Sequence, residues 1–379
     1  MGVLVNMSSS LSKYKYKETI SLLSKSFPGD RLFLRDFFYK VLSLIPHRRF
    51  IFYTSENKIK GFLLILKRQV RLGGKLFNVC GMSYMVVDEK LKNLSASAFL
   101  KKKLFEESNK FDLTIGFARK VMDRYWYHYG FLGVSSFSKF SISLRSFQQF
   151  KDDNISYSDS ICNNDIEDLN KIYTLTYKQL YGSFLRDNEA WSYLLFSGVK
   201  NFNLIKVLNK GKVWGYFFYK NNEIYEVGVK NKQYRKMLQA IYLFFNSKKS
   251  ENLIFNLSFN HELIKHMSIY SHERYEKFVP EGGHLIRINN IKRFIKKISP
   301  VLEKQYLMLN FKPFTKKING IIFTFSKNAL KVTYDEYFKD DNLTKLQVAA
   351  FIFMLPYESM HNDILFNPLC INFSELDQF

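Results

Sequence analysis

The sequence predicts a mixed α+β and α/β chain of two consecutive mixed-sheet blocks followed by a small α+β block. Three observations predict it. Apolar residues alternate between helical and strand spacing in an order that occurs twice along the chain. Short polar or glycine-bearing turns separate runs of strand length. The 379 residues are also too many for one ordinary domain.

In the first block, Leu32 to Leu44 carries apolar residues at helical spacing, and Pro46 ends it. Phe50 to Tyr53, the polar turn Ser55-Glu56-Asn57-Lys58 and the run Gly61 to Leu66 read as a hairpin. Gly73-Gly74 turns the chain into a long strand from about Phe77 to Val87. A helix is expected from Ser95 to Glu107 and a strand from Leu113 to Phe117. A helix from Lys120 to Tyr129 and a closing strand from Val134 to Leu144 complete the block.

The order then returns. Gly211-Lys212-Val213-Trp214-Gly215-Tyr216 echoes Asn57-Lys58-Ile59-Lys60-Gly61-Phe62 at the turn and second strand of a hairpin. Ile224 to Val229 takes the part of the long strand and Tyr234 to Phe245 that of its helix. Leu253 to Leu257 and a helix starting within His261 to Met267 follow. After about Ile291 the pattern changes. Ile321 to Phe325 and Leu330 to Tyr334 read as a hairpin, and Leu343 to Met354 as one helix. The expected domains are therefore 1–148, 149–290 and 291–379.

Charge is uneven along the chain. Residues 1–150 hold 26 Lys/Arg against 10 Asp/Glu, whereas residues 331–379 hold 3 against 8. A basic half suits a polyanion such as a phosphate-rich cofactor, or is simply a solvated lysine-rich surface. No helix-turn-helix or zinc-finger pattern occurs, so nucleic acid is a minor option. The three cysteines form no CxxC pair, and the seven histidines have no metal-ligand spacing, so no metal is expected. No signal-peptide pattern or span of ~20 apolar residues is present. A cytoplasmic protein is the expectation.

The segment most informative about chemistry runs from Met85 to Leu100, where a strand leads through a polar turn into a helix. The start of that helix is rich in small residues. Such a start presents backbone N–H groups and the positive end of the helix dipole, which together suit a pyrophosphate. An ordinary serine-capped strand-to-helix connection is the plainer alternative.

Helices, hairpin, long strand, small-residue helix start, strand, and an aromatic helix ending in Tyr129-Gly130-Phe131 resemble the layout of GNAT acetyltransferases. Two such blocks with a small last domain resemble the enhanced-intracellular-survival type, whose last domain is similar to sterol carrier proteins. The resemblance implies that acetyl-CoA is the co-substrate. Main-chain groups of Met85, Val86 and Val87 would pair with its pantetheine arm, and Lys92, Asn93, Leu94, Ser95, Ala96 and Ser97 would hold the pyrophosphate. The family pattern has a glycine where this chain has Ser95 and a glycine or alanine where it has Ser97, with Lys92 at its basic position. Val229 to Tyr234, the matching stretch of the second block, has no small-residue loop, so that block is expected to shape the acceptor site without binding CoA.

In the family a tyrosine four residues before the closing glycine donates a proton to the departing thiolate. Here that position is Trp126, so either Tyr125 or Tyr127 substitutes for it or acid catalysis is dispensable because the CoA thiolate leaves readily. The family's general base is the terminal carboxylate, which here belongs to Phe379. Trp126, His128 and Asp377 are expected at the acceptor pocket.

The expected function is direct attack of an amine on acetyl-CoA, the amine being a small molecule or a protein lysine. Two other readings stay open, a tandem-GNAT transferase using aminoacyl-tRNA and a binding protein that has lost catalysis. A homo-oligomer stays open as well.

Overall fold

The computed structural model describes residues 13–26, 48–88, 95–118, 123–134, 138–144, 154–178, 180–196, 202–248, 250–258, 261–267, 272–276, 283–308, 312–327 and 329–353. The expected helix at Leu32 to Leu44 lies outside them. The expected mixed α/β class holds, with two seven-stranded mixed sheets and one three-stranded sheet.

The first block opens with α1 (Lys13–Ser26), β1 (Arg48–Ser55), β2 (Lys58–Leu72) and β3 (Lys75–Val87). It continues with α2 (Ser95–Ser108), β4 (Leu113–Ala118), α3 (Asp123–Tyr127) and β5 (Leu132–Val134). The two-residue turns follow from local chemistry. Ser55 pairs with Lys58 across Glu56 and Asn57, both at positive φ, and Leu72 pairs with Lys75 across Gly73 and Gly74, also at positive φ. Such turns match the right-handed twist of the flanking strands.

The chain next forms β6 (Ser138–Ser143), β7 (Ile155–Ser158), α4 (Asp165–Tyr177), β8 (Ser183–Phe184) and α5 (Asn188–Phe196). The second hairpin and fork are β9 (Asn203–Asn209), β10 (Lys212–Lys220), β11 (Glu223–Val229), α6 (Tyr234–Ser247) and β12 (Asn252–Leu257). α7 (Glu262–Met267), β13 (His272–Glu276) and β14 (Gly283–Ile288) follow. The last block is α8 (Ile291–Met308), β15 (Phe314–Ile318), β16 (Ile321–Phe325), β17 (Leu330–Tyr334) and α9 (Asn342–Phe353). Of these, α8 and β15 were absent from the sequence reading.

The sheets exchange strands. The first is ordered β1-β2-β3-β4-β14-β5, with β8 also on β2, and the second is β13-β6-β12-β11-β10-β9-β7. Thus β14, which closes the second block in sequence, fills the first sheet between β4 and β5. Conversely, β6 lies between β12 and β13. The single strand expected from Val134 to Leu144 is therefore corrected to two strands in different sheets. A period-2 pattern shows that a residue run is extended but not which edge it joins. Each sheet consequently takes residues from both sides of the expected 148/149 border.

Alternation along the first sheet divides its faces. Ile51, Leu63, Ile65, Cys80, Met82 and Leu285 pack with Leu100 and Leu104 of α2 and with Trp126 of α3. On the other face Val70, Val79, Leu113, Ile115, Ile286 and Ile288 share one core with α8, α9 and the three-stranded sheet. The last block is thus built onto the first sheet and has no separate core there.

Candidate active site

The site begins with a fork in the first sheet. β3 and β4 pair in parallel from Val79 with Leu113 to Met82 with Gly116, and β3 then continues to Val87 paired with β2 but no longer with β4. Just past the parting the register of β2 and β3 slips, from Phe62 with Val86 to Leu64 with Ser83. The extra residue is taken up where Tyr84 holds φ 49°. Such a bulge bends its strand and re-aims the groups beyond it. Asp88 donates its N–H to Lys60 at 2.8 Å, so by antiparallel alternation the polar groups of Val87 face the fork.

Helix α2 starts at Ser95, eight residues beyond the end of β3 at Val87. Ala96 is buried and Ser97 half-buried. Lys92, Asn93 and Leu94 lie outside the described residues, as do Asp377 and Phe379. The helix lies close over the hairpin because Gly61 has no side chain: a Cβ there would stand 3.1 Å from Leu100 and 3.2 Å from Tyr53. Gly215 has the same role in the second block, where a Cβ would meet Met237 of α6 at 3.1 Å. The echoed glycines therefore share a packing reason.

Helix α3 carries the aromatic cluster. Trp126 is 6% exposed and packs edge-on against Phe131 at 5.2 Å, which places it in the core rather than on an open pocket wall. Tyr125 and Tyr129, one helical turn apart, both receive a hydrogen bond from Lys101 Nζ at 2.6 Å. Burial pushes the Tyr125 phenol up, but hydrogen bonds from Lys101, Tyr129 and Ser97 and the charge of Lys101 outweigh it, leaving it below the usual tyrosine range. Tyr127 is half-buried. His128 is exposed, and its carbonyl receives Asn342 Nδ2 of α9 at 3.4 Å. The carbonyl of Tyr129 is held by Arg287 Nε of β14 at 2.8 Å, with that guanidinium over the Phe105 ring. The exchanged strand and the last block thus secure the chain at the end of α3.

A thiol nucleophile is unsuited to this site. Burial, then the nearby charge of Glu107, pushes Cys80 up to about 12. Among the described residues no group of three or more His, Cys, Asp or Glu could hold a metal ion. No helix among them is long and apolar enough to cross a membrane.

The second block repeats the fork and closes it. β11 pairs with β12 only at Glu223 and Ile224, and Gly215 faces Val229 as Gly61 faces Val87. Val229 donates its N–H to Thr176 Oγ1 at 2.8 Å, and Val227 donates its N–H to the Tyr177 hydroxyl at 3.2 Å. His261 accepts the Leu263 N–H on Nδ1, so its Nε2–H donates to the Val227 carbonyl at 3.2 Å. Beneath them Arg186 and Glu226, 1% and 0% exposed, form a two-pronged ion pair, and Tyr216 donates to the same carboxylate at 2.8 Å. Among the described residues nothing does this at Met85 and Val87. Sequence reading missed Thr176, Tyr177 and Lys101, whose partners lie 53, 50 and 24 residues away.

No protein-family model matches the chain, and no curated protein matches it significantly. Solved structures do. A probable N-acyltransferase from Enterococcus faecalis aligns with TM-score 0.61 at 15% identity, covering 87% of this chain and 85% of its own. A GCN5-related N-acetyltransferase from Kribbella flavida aligns with TM-score 0.60 at 10% identity, covering 89% and 85%. Eis1 from Mycobacterium abscessus gives 0.56 at 11% identity, covering 89% and 86%. At these identities the relationship is one of architecture, and the chain has the fold of these GNAT acyltransferase structures over most of its length.

Proposed function

We propose that this chain is an acyl-CoA-dependent N-acyltransferase that transfers acetyl from acetyl-CoA to an amine. The observation that carries this reading is the contrast between the two forks. Among the described residues no side chain hydrogen-bonds the Met85 to Val87 edge of the first fork, which leads to the start of α2, whereas the second is filled by its own side chains.

Amide groups of Met85 and Val87 are suited to pair with the amide-bearing arm of CoA. The first N–H groups of α2, at Ser95 to Ser97, are suited to its pyrophosphate, with Lys92 nearby in sequence. The acceptor amine attacks the thioester carbonyl, the C–S bond breaks, and the thiolate leaves with a proton from Tyr125 or Tyr127. The Phe379 carboxylate takes the proton of the acceptor ammonium. The last block is proposed to be sterol-carrier-protein-like, which suits its three-stranded meander packed with two helices.

Calorimetry with acetyl-CoA, followed by thiol release over a panel of primary amines, tests the proposal. Binding with turnover is expected. Ser95→Asp, which sets a carboxylate against phosphate, is expected to abolish the rise in Tm that acetyl-CoA gives. The burial of Trp126 at the position of the family's acid favours a second reading, a binding protein without catalysis. Binding without turnover of any amine would select it.

A further inference from the structure

The first fork closes at one rung. β3 and β4 pair as far as Met82 with Gly116, after which β3 stays with β2 to Val87 and β4 stays with β14 to Ala118. The gap between the departing strands is the cleft, and the Met82–Gly116 rung is its closed end. Side chains at that end divide by face. Met82, Gly116 and Leu285 stand in one row across β3, β4 and β14, and Met82 and Leu285 belong to the core under α2. Gly116 leaves room for the thioether: a Cβ there would stand 2.6 Å from Met82 Cε. The Met82 methyl therefore lies across the seam onto β4, and the residue is 9% exposed. Phe117, next along β4, is on the opposite face by alternation, is 41% exposed and meets His284 edge-on at 5.4 Å.

We propose that the Met82 methyl is the stop that limits the transferred acyl group to acetyl. The proposal rests on the acyl-transfer reading, which sets the pyrophosphate at the start of α2 and the amide arm along Met85 to Val87. Because α2 returns the chain to a parallel strand, it runs opposite to β3 and starts beyond the Val87 end. The cofactor consequently enters from that end, with its thiol toward the closed rung. Past its last amide the arm has two carbons and sulfur, roughly one to two residues of strand at ~3.3 Å each. From Met85 that brings the thioester level with Ser83 and Tyr84, and the acyl carbons beyond it abut Met82. The Phe117 face is left to the incoming amine. Truncating Met82 to alanine removes Cγ, Sδ and Cε, which makes room for the further carbons of a longer acyl chain.

The test is calorimetry of the full chain with acetyl-CoA and butyryl-CoA, with CoA itself as the reference ligand. The unmodified chain is expected to bind acetyl-CoA at least about tenfold more tightly than butyryl-CoA, the discrimination a fitted apolar pocket makes against added methylenes. Met82→Ala should bring the two affinities level or reverse their order. Met82→Val, a milder truncation suited to a strand, should move the ratio the same way by less, and it decides the matter if the alanine variant does not fold. Equal affinities in the unmodified chain overturn the proposal. So does a ratio that neither substitution moves, including a parallel weakening of all three ligands, which is what a merely structural methionine would give. Absence of CoA binding to the unmodified chain would instead remove the acyl-transfer reading and this inference with it.

Discussion

Thr176 Oγ1 accepts the Val229 N–H at 2.8 Å and lies 3.2 Å from the carbonyl of the same residue, its own proton shared with the Ile172 carbonyl at 2.9 Å. One α4 hydroxyl thereby satisfies a strand edge whose counterpart in the first block has no such side-chain partner among the described residues. CoA is therefore expected to bind once per chain, which the stoichiometry of calorimetric titration measures. Thr176→Val should not create a second site. It leaves the Val229 N–H unsatisfied in the core and should cost about 1–3 kcal/mol in urea unfolding. A stoichiometry near two for the unmodified chain would contradict the assignment.

The ion pair of Arg186 with Glu226 gives a second prediction. Both groups are out of water, and Arg186 also lies 4.2 Å from the Tyr173 ring centre. Removing one partner strands the other charge, so Arg186→Met should cost about 3–5 kcal/mol. Removing both charges, with Glu226→Leu added, should recover part of that loss. Urea unfolding of the single and double variants measures the coupling. Additive losses would show that the pair does not act as a unit.

His261 supplies the pH dependence. Burial, against weaker opposition from the Val227 carbonyl and Glu262, depresses it to about 4 from an ordinary 6.5. Between those values the unfolded chain binds a proton that the folded chain does not, so this contribution to stability rises with pH. It is complete above about 6.5 and lost as pH falls toward 4, a change of about 3 kcal/mol at most. His261→Gln should flatten that limb of the stability profile. An equally steep loss in the variant would assign the limb to other groups.

Much of this fold was legible because its signals are local. The turns at Glu56-Asn57 and Gly73-Gly74 announce themselves through residues that tolerate positive φ, and α2 and α6 begin where the small-residue start and Tyr234 place them. The amphipathic α8 has helical spacing at Ile291, Phe294, Ile295 and Ile298 but carries Pro300 within it, a residue that weakens the helical signal in sequence. The exchange of β6 and β14 had no local signature, since a strand's own pattern is the same in either sheet. At the site, Tyr125 and the small helix start could be read in sequence, but the Lys101 contact could not. It joins residues brought together only when α2 and α3 pack on one sheet face.

The exchange also predicts how the molecule unfolds. Leu285 of β14 shares the core of the first sheet with Trp126, although it lies in sequence at the end of the second block. β6, reciprocally, joins β12 and β13 in the second sheet, whose core contains Trp214. Neither sheet can open without losing a strand that the other block's chain path supplies. The two sheets should therefore unfold together. Two variants, each with one reporter tryptophan at Trp126 or Trp214 and the remaining tryptophans changed to phenylalanine, measure this by fluorescence in urea. Coincident midpoints and slopes are expected, as for a single cooperative unit. Leu285→Ala, expected to cost about 2–5 kcal/mol, should lower both midpoints. A shift seen only at Trp126, with Trp214 unmoved, would show that the sheets unfold independently despite the shared strands.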